Sequence, residues 1–202
     1  MAKKLFPEYA DCISMTMTPM VLTARLIKKE HPDARICFVG PCSAKKLEAS
    51  RRSVRSEFDF VLTFEELMGL FEAKEVDFNS LPNSPEDSFE SASADGRGFA
   101  VSGGVAQAVV NAIKKMDPDR EVKVASAQGL ADCRKMMTMA KAGKYNGYLL
   151  EGMACPGGCI AGAGTLADPA KSAAMLNKYK NEAKMKNSTE TPYKDSISLL
   201  KY

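Results

Sequence analysis

The chain lacks most of the features that would fix its class at a glance. No apolar run approaches the roughly 18 residues that cross a bilayer, and nothing resembling a leader precedes the first expected element. The expectation is therefore a soluble cytoplasmic protein with no membrane partner. Charge is nearly balanced, 28 basic against 25 acidic residues, and a net +3 is too small to argue for nucleic acid. His31 is the single histidine. It sits among Lys28, Lys29, Glu30 and Asp33 as a solvated helix end, so no nucleophile–base pair for acyl or phosphoryl transfer is visible. Six cysteines in 202 residues are too sparse for a secreted disulfide framework. Internal repeats and low-complexity segments are missing too. What is present is ordinary globular composition, 45% hydrophobic and 26% charged, with length enough for one sizeable core.

Strand-like and helix-like segments alternate along the chain. Thr18-Pro19 reads as an N-cap and first helical position, opening a helix to about Glu30. Apolar runs at 36–39 and 58–62 predict strands, and Thr63-Phe64-Glu65-Glu66 is a capping box for a helix with Phe64, Leu67, Met68 and Phe71 on one face. Residues 79–98 are rich in Ser, Asp, Pro and Gly and predict a long surface loop. Phe99 to Val101 then leads through Ser102-Gly103-Gly104 into a helix with Val105, Val109, Ala112 and Ile113 inward. A strand at 122–125, a helix at 130–142 and a strand at 148–150 follow. Asp168-Pro169 starts a polar helix, residues 1–186 form the domain, and 187–202 read as a loosely held tail. The repeated order implies an α/β fold, a mainly parallel sheet flanked by helices.

Two stretches carry the chemistry. In Cys155-Pro156-Gly157-Gly158-Cys159 two thiols lie close together, and five glycines fall between 152 and 164. Glycine lets backbone approach a ligand without a Cβ in the way. Such a pair suits a soft metal or an iron–sulfur cluster, although Cys-x3-Cys spacing also fits a redox-active or merely buried pair. Upstream, Gly40-Pro41-Cys42 ends the first expected strand, where ligands of α/β proteins usually sit. The adjacent Lys45 and Lys46 favour an anionic partner. Ser102-Gly103-Gly104 at a helix start offers backbone amides to an anion or, equally, close packing against the Cys155 segment. Cys12 and Cys133 have no partner at ligand spacing, and Cys37, inside an apolar strand, reads as a small hydrophobe.

Together these stretches resemble the second and third signature motifs of the [FeFe]-hydrogenase catalytic domain. The second has the form Met-Pro-Cys-x-x-Lys-x-x-Glu, matched by Pro41, Cys42, Lys45 and Glu48, with Gly40 in place of methionine. The third, Glu-x-Met-Ala-Cys-x-x-Gly-Cys-x-x-Gly-Gly-Gly-Gln, is matched by Glu151, Met153, Ala154, Cys155, Gly158, Cys159, Gly162 and Gly164, while Ala163 and Thr165 depart. Ser14 to Met20 resembles the family's Ser-Pro-Gln segment. The first motif, Thr-Ser-Cys-Cys-Pro, has no counterpart, and the expectation is a fragment beginning just after it. The resemblance implies that Cys42, Cys155 and Cys159 are thiolate ligands to a [4Fe–4S] cluster, with Cys159 bridging to a diiron subsite. It implies a fourth ligand from the first motif, Lys45 donating to a cyanide on the diiron unit, and Glu48 as an acid in the proton path. Without the motif, Lys45 reads as an exposed surface lysine and Glu48 as its i,i+3 helix partner, and the motif match favours function for Lys45. Pro19, Met20, Phe99, Val105 and Met153 fall where the family lines the diiron site, and Met153, inside the motif, carries the most weight.

The resemblance implies reversible H2 activation, with H2, protons and an electron-transfer protein as partners. Two alternatives stay open. One is a hydrogen or redox sensor that uses the same cluster and signals through an appended domain; Gly40, Ala163, Thr165 and the lack of ferredoxin-like cysteine motifs lean this way. The other is a non-catalytic iron–sulfur protein of the prelamin-A-recognition-factor type, against which Lys45, Glu48 and Met153 count. With three motif thiolates where a cubane takes four, the isolated chain is expected to be inactive and to carry no intact cluster.

Overall fold

Thr18 and Pro19 open the first long helix as their chemistry predicts. The Thr18 hydroxyl accepts from the Val21 N–H at 3.5 Å, and α2 runs Pro19–Glu30, after a short α1 (Ala2–Leu5) and a 3-10 turn (Pro7–Cys12). This computed structural model describes residues 1–82 and 91–199. Strand β1 (Cys37–Gly40) is followed by α3 (Ala44–Ala49) and β2 (Phe60–Thr63), and the two strands pair in parallel with Gly40 opposite Thr63. Thr63 then caps α4 (Phe64–Ala73). Its hydroxyl accepts from the Glu66 N–H at 3.2 Å while the Glu66 carboxylate accepts from the Thr63 N–H at 2.9 Å, the reciprocal box expected from sequence.

After α5 (Ala94–Arg97) and a 3-10 turn (Gly98–Ala100), α6 (Gly104–Met116) leads to β3 (Lys123–Gln128). Helix α7 (Leu130–Lys141) connects β3 to β4 (Tyr148–Met153), again a parallel pair, with Gln128 opposite Met153. Parallel neighbours require a crossover element, and α3 and α7 serve as those crossovers. Helix α8 (Pro169–Asn181) is capped by Asp168, which accepts from the N–H groups of Ala170 and Lys171, both at 3.0 Å. It is tied back to α5 by Arg97, which donates to the Tyr179 carbonyl at 2.7 Å and lies over the Tyr179 ring.

The α/β class with parallel strands holds, with several corrections to the expected detail. Among the described residues the strands form two separate two-stranded sheets rather than one. Cys37 is exposed, not buried, because it stands at the open start of β1, whose burial deepens only toward Gly40. On α4, Phe64 and Met68 are exposed while Leu67 and Phe71 are half-buried. On α6 the buried residues are Ala106 and Val110, one position round from the expected face, and Val109 is exposed. The loop expected at 79–98 is broken by α5, and its residues 83–90 lie outside the described residues. The segment from Asn187 is anchored where it starts. Asn187 is buried and accepts from the Thr189 N–H at 2.9 Å, while Ala94 and Asp95 donate to the Met185 and Lys186 carbonyls just before it. Residues 200–202 lie outside the described residues.

Candidate functional site

Glycine brings the two cysteine motifs together through close backbone packing. The Gly164 N–H donates to the Pro41 carbonyl at 2.8 Å, and a Cβ at Gly162 would stand 2.4 Å from that same oxygen. Any side chain at 162 would push the Cys159 segment off the Cys42 loop. Gly158, at φ +95°, has the Ala100 carbonyl oxygen and the Ser102 nitrogen each 2.6 Å from where a Cβ would be, so only glycine fits that position. Gly158, Gly162 and Gly164 therefore serve close packing between segments, whereas a Cβ at Gly157 would meet nothing closer than 3.7 Å.

The helix-start glycines also find an internal partner. The Glu151 carboxylate, buried at the middle of β4, accepts from the backbone N–H groups of Gly103, Val105 and Ala106, the last two at 3.0 Å. The positive end of α6 is thus neutralised by the first residue of the third motif. The strand that delivers Cys155 is pinned to α6 in the same step.

Around these anchors lies an open cleft of about 590 Å³ lined by Cys42, Cys159, Lys45 and an apolar wall that includes Phe38, Phe64, Phe99 and Leu166. Cys42, Cys155 and Cys159 are all free and half-buried. Burial pushes the Cys159 thiol above its ordinary pKa; nearby Cys42 and Cys155 push the same way, and Lys45 pulls against them. These four side chains share one electrostatic neighbourhood although they come from two distant stretches of sequence. Lys45 donates to Glu48 at 2.6 Å, and the Thr18 hydroxyl donates to the other Glu48 oxygen at 2.5 Å. Burial raises the Glu48 pKa, but the hydrogen bonds from Lys45 and Thr18 outweigh it and hold the carboxyl below the usual range. The i,i+3 partnership read from sequence is thus present.

The softer candidates separate. Phe99 lines the cleft; Pro19, Met20, Val105 and Met153 are not among its lining residues. Pro19 is exposed and Met20 is buried in α2. The remaining thiols lie elsewhere. Cys12 belongs to a turn whose Tyr9 hydroxyl donates to the Ala140 carbonyl at the far end of α7. Cys133 is buried under β4, its Sγ 3.5 Å from the Ala127 and Met153 carbonyl oxygens. Sequence reasoning missed Gln128, whose side chain holds the Gly157 N–H at 2.6 Å, and the contact from Thr18 to Glu48. Neither carries a motif signal, since each depends on two segments meeting.

Among the described residues, no three His, Cys, Asp or Glu side chains are close enough to share a single metal ion. The donor set nonetheless fits an iron–sulfur group: Cys42 and Cys159 line the cleft, and Cys155, outside its lining, is near enough to act on Cys159. Thiolates of a cubane bind separate irons, so they need a common cavity and not a common ion. Soft sulfur donors, one ammonium and a dry wall are what such a group requires.

Fold and site together define an α/β domain with parallel strands and two free thiols, Cys42 and Cys159, lining one cleft. The comparisons specify the family. The family described as iron only hydrogenase large subunit, C-terminal domain, matches residues 1–163, and the chain belongs to it. The chain is 28% identical to the periplasmic [Fe] hydrogenase large subunit of Nitratidesulfovibrio vulgaris over 86% of its own length and 51% of that protein. It is 32% identical to the cytosolic Fe-S cluster assembly factor NAR1 of Kluyveromyces lactis, over 44% of this chain and 19% of the relative. The fold matches the solved [FeFe]-hydrogenase HydA1 from Chlamydomonas reinhardtii with a TM-score of 0.70 at 20% identity, covering 99% of this chain and 68% of that one. The chain thus spans about half the length, or less, of the curated relatives it matches.

Proposed function

We propose that this chain is part of a hydrogen-activating protein and supplies thiolate ligands of Cys42, Cys155 and Cys159 to a [4Fe–4S] cluster with an attached diiron unit. When bound, that group supplies reversible exchange of two electrons and two protons with H2. The observation that carries the reading is the meeting of Cys42, Cys159 and Lys45 in one cleft, with Cys155 close enough to bias Cys159. The chain's own residues have distinct tasks. The thiolates bind, Lys45 donates a hydrogen bond to an anionic iron ligand, and Phe38, Phe64 and Phe99 exclude water. Glu48, released from Lys45, holds a proton at its carboxylate next to the Thr18 hydroxyl. An electron-transfer protein or an appended sensory domain would take up the electrons or the signal.

One observation favours the sensory variant. A Cβ at Gly40 would lie 2.5 Å from the Phe38 ring, so that ring occupies the space beside the position where the family motif has methionine. A changed wall alters the surroundings of the group without removing its ligands. Similarity to NAR1 supports the other alternative, an iron–sulfur protein without diiron chemistry.

The test is anaerobic reconstitution of the chain with iron and sulfide, using a small external thiol as fourth ligand, followed by loading with a synthetic diiron unit. Iron and acid-labile sulfide should bind the parental chain and be lost in the Cys42→Ser, Cys155→Ser and Cys159→Ser variants. Lys45→Ala should keep the cubane and lose the infrared bands of the diiron unit. Iron uptake indifferent to all three cysteines would refute the ligand set. A cubane that never accepts the diiron unit would favour the non-catalytic reading.

A further inference from the structure

Gln128 ends β3, is exposed, and belongs to neither motif, yet its Oε1 accepts the N–H of Gly157 at 2.6 Å. Gly157 is the central residue between Cys155 and Cys159. Among the described residues, the other hydrogen bonds on that turn are backbone to backbone. The Gly157 carbonyl accepts from the Ser102 N–H at 3.2 Å, the Gly158 N–H donates to the Cys155 carbonyl at 3.0 Å, and Gly158 is wedged against residues 100–102. The reach of Gln128 is fixed by the strand pair that delivers Cys155, since Gln128 lies opposite Met153 and the Gly129 N–H donates to the Met153 carbonyl at 2.8 Å. An exposed neutral hydrogen bond adds little to stability. Its consequence is positional. Backbone N–H groups beside iron–sulfur clusters donate to the sulfurs and shift the reduction potential, and the Gly157 N–H is already engaged.

We propose that Gln128 is a positioning residue for the Cys155–Cys159 thiolate pair. It latches the central N–H of the turn, fixes how the two sulfurs converge, and withholds that N–H from a bound cluster, which lowers the cluster's potential. The inference rests on the cluster reading above and adds to it a side chain that touches neither iron nor substrate.

The test uses the full chain with Gln128→Met, which keeps length without an acceptor, and Gln128→Glu, which keeps an acceptor. In the apo chain, the Gly157 amide should exchange with deuterium about tenfold faster in Gln128→Met than in the parent, with protection restored in Gln128→Glu. After anaerobic reconstitution with an external thiol, Gln128→Met should release iron to a chelator several-fold faster than the parent and Gln128→Glu. Its midpoint potential should be more positive than the parent's, while its melting temperature stays at the parental value. Unchanged Gly157 exchange in Gln128→Met, or iron release from Gln128→Glu as fast as from Gln128→Met, overturns the role of Gln128 and leaves the cluster reading intact. An unchanged midpoint potential overturns the withheld N–H. A parental chain that binds no iron while Gly157 exchange still responds to Gln128→Met overturns the cluster reading and the positioning role with it.

Discussion

The β1–α3–β2 unit that carries Cys42 and the β3–α7–β4 unit that carries Cys155 and Cys159 follow one plan but are held by different forces. The first is laced with ion pairs. Arg25–Glu57 closes at 3.2 Å, Arg35–Asp59 at 2.7 Å and Lys45–Glu48 at 2.6 Å, and Lys46 pairs with Glu66. Two of its large apolar residues face outward, Leu47 70% and Phe60 66% exposed, and its strand residues Phe38, Val39, Val61 and Leu62 are only half-buried. The second has exposed ion pairs too, Lys135–Asp132 at 3.0 Å and Lys141–Glu8 at 2.6 Å, but adds a buried cluster. Ala127, Cys133 and Met136 form a core against which Ala125, Tyr145 and Leu150 pack. Exposed ion pairs contribute little each and weaken with salt, whereas buried apolar contacts and satisfied buried carboxylates do not. The Cys155–Cys159 pair therefore sits on the firmer unit and Cys42 on the looser one. Local opening should begin around Cys42.

The largest expected effect comes from the anchor of the firmer unit. Glu151→Ala leaves three backbone N–H groups at the start of α6 without their acceptor. One of these donors is buried and two are half-buried, and at up to roughly 1 kcal/mol for each left unsatisfied the loss should be about 2 to 3 kcal/mol. Urea denaturation checks it, with Glu151→Gln expected to recover part of the loss because one oxygen acceptor remains. A loss in Glu151→Ala no larger than that of a surface substitution would show that water replaces the carboxylate and that β4 is not pinned to α6.

A matched pair of truncations sharpens the contrast. Met136 is 6% exposed in the core of the second unit, so Met136→Ala should cost about 2 kcal/mol, the lower end for a buried aliphatic truncation in a small core. Leu47, on α3, should change stability by no more than about 0.5 kcal/mol when replaced by alanine. Equal losses would mean that Leu47 is covered in solution, and that the exposure seen on the Cys42 unit belongs to a surface with a partner. Urea midpoints of the two variants at equal protein concentration, repeated at tenfold dilution, separate those cases.

Much of this could be read from residues, and the misses share a cause. Thr63 and Glu66 announced their capping box because both partners lie within one helical turn. Helix α2 and the place of Cys42 beyond β1 followed from a Thr-Pro start and a Gly-Pro stop. The inward face of α6 was misjudged because Val109 is more hydrophobic than Ala106, yet close helix packing takes the smaller residue. Cys37 was misjudged because an apolar run implies a strand buried on both faces, whereas β1 belongs to a two-stranded sheet. Two of the glycines around Cys155, Gly158 and Gly162, have an immediate reason that spacing does not carry, the backbone of residues 41, 100 and 102. Glu151 stood in a recognised motif, but its task depends on where α6 begins, which no local pattern encodes.

Acid gives the gentlest probe of the same contrast, because three carboxyls in and beside the first unit are held below their ordinary pKa, against one, Glu8 paired with Lys141, beside the second. Glu48 is lowered by Lys45 and Thr18 against the opposing effect of burial, Asp59 by Arg35 and the Ile36 N–H, and Glu66 by Lys46 and the Thr63 N–H. A carboxyl whose folded pKa is depressed binds fewer protons folded than unfolded. Its contribution is present above the unfolded value, near 4, and is lost as pH falls through the lower folded value. Acidification from pH 5 to 3 should therefore loosen β1 and β2 before β3 and β4. Amide exchange, corrected for its intrinsic pH dependence, should show protection at Val39 and Leu62 falling while that at Ala125 and Leu150 holds. Glu48→Gln removes one of the three carboxyls and should flatten the response around α3. Parallel loss of protection in both units would mean that the chain opens as one body, and the division between a charge-held and a burial-held unit would not survive.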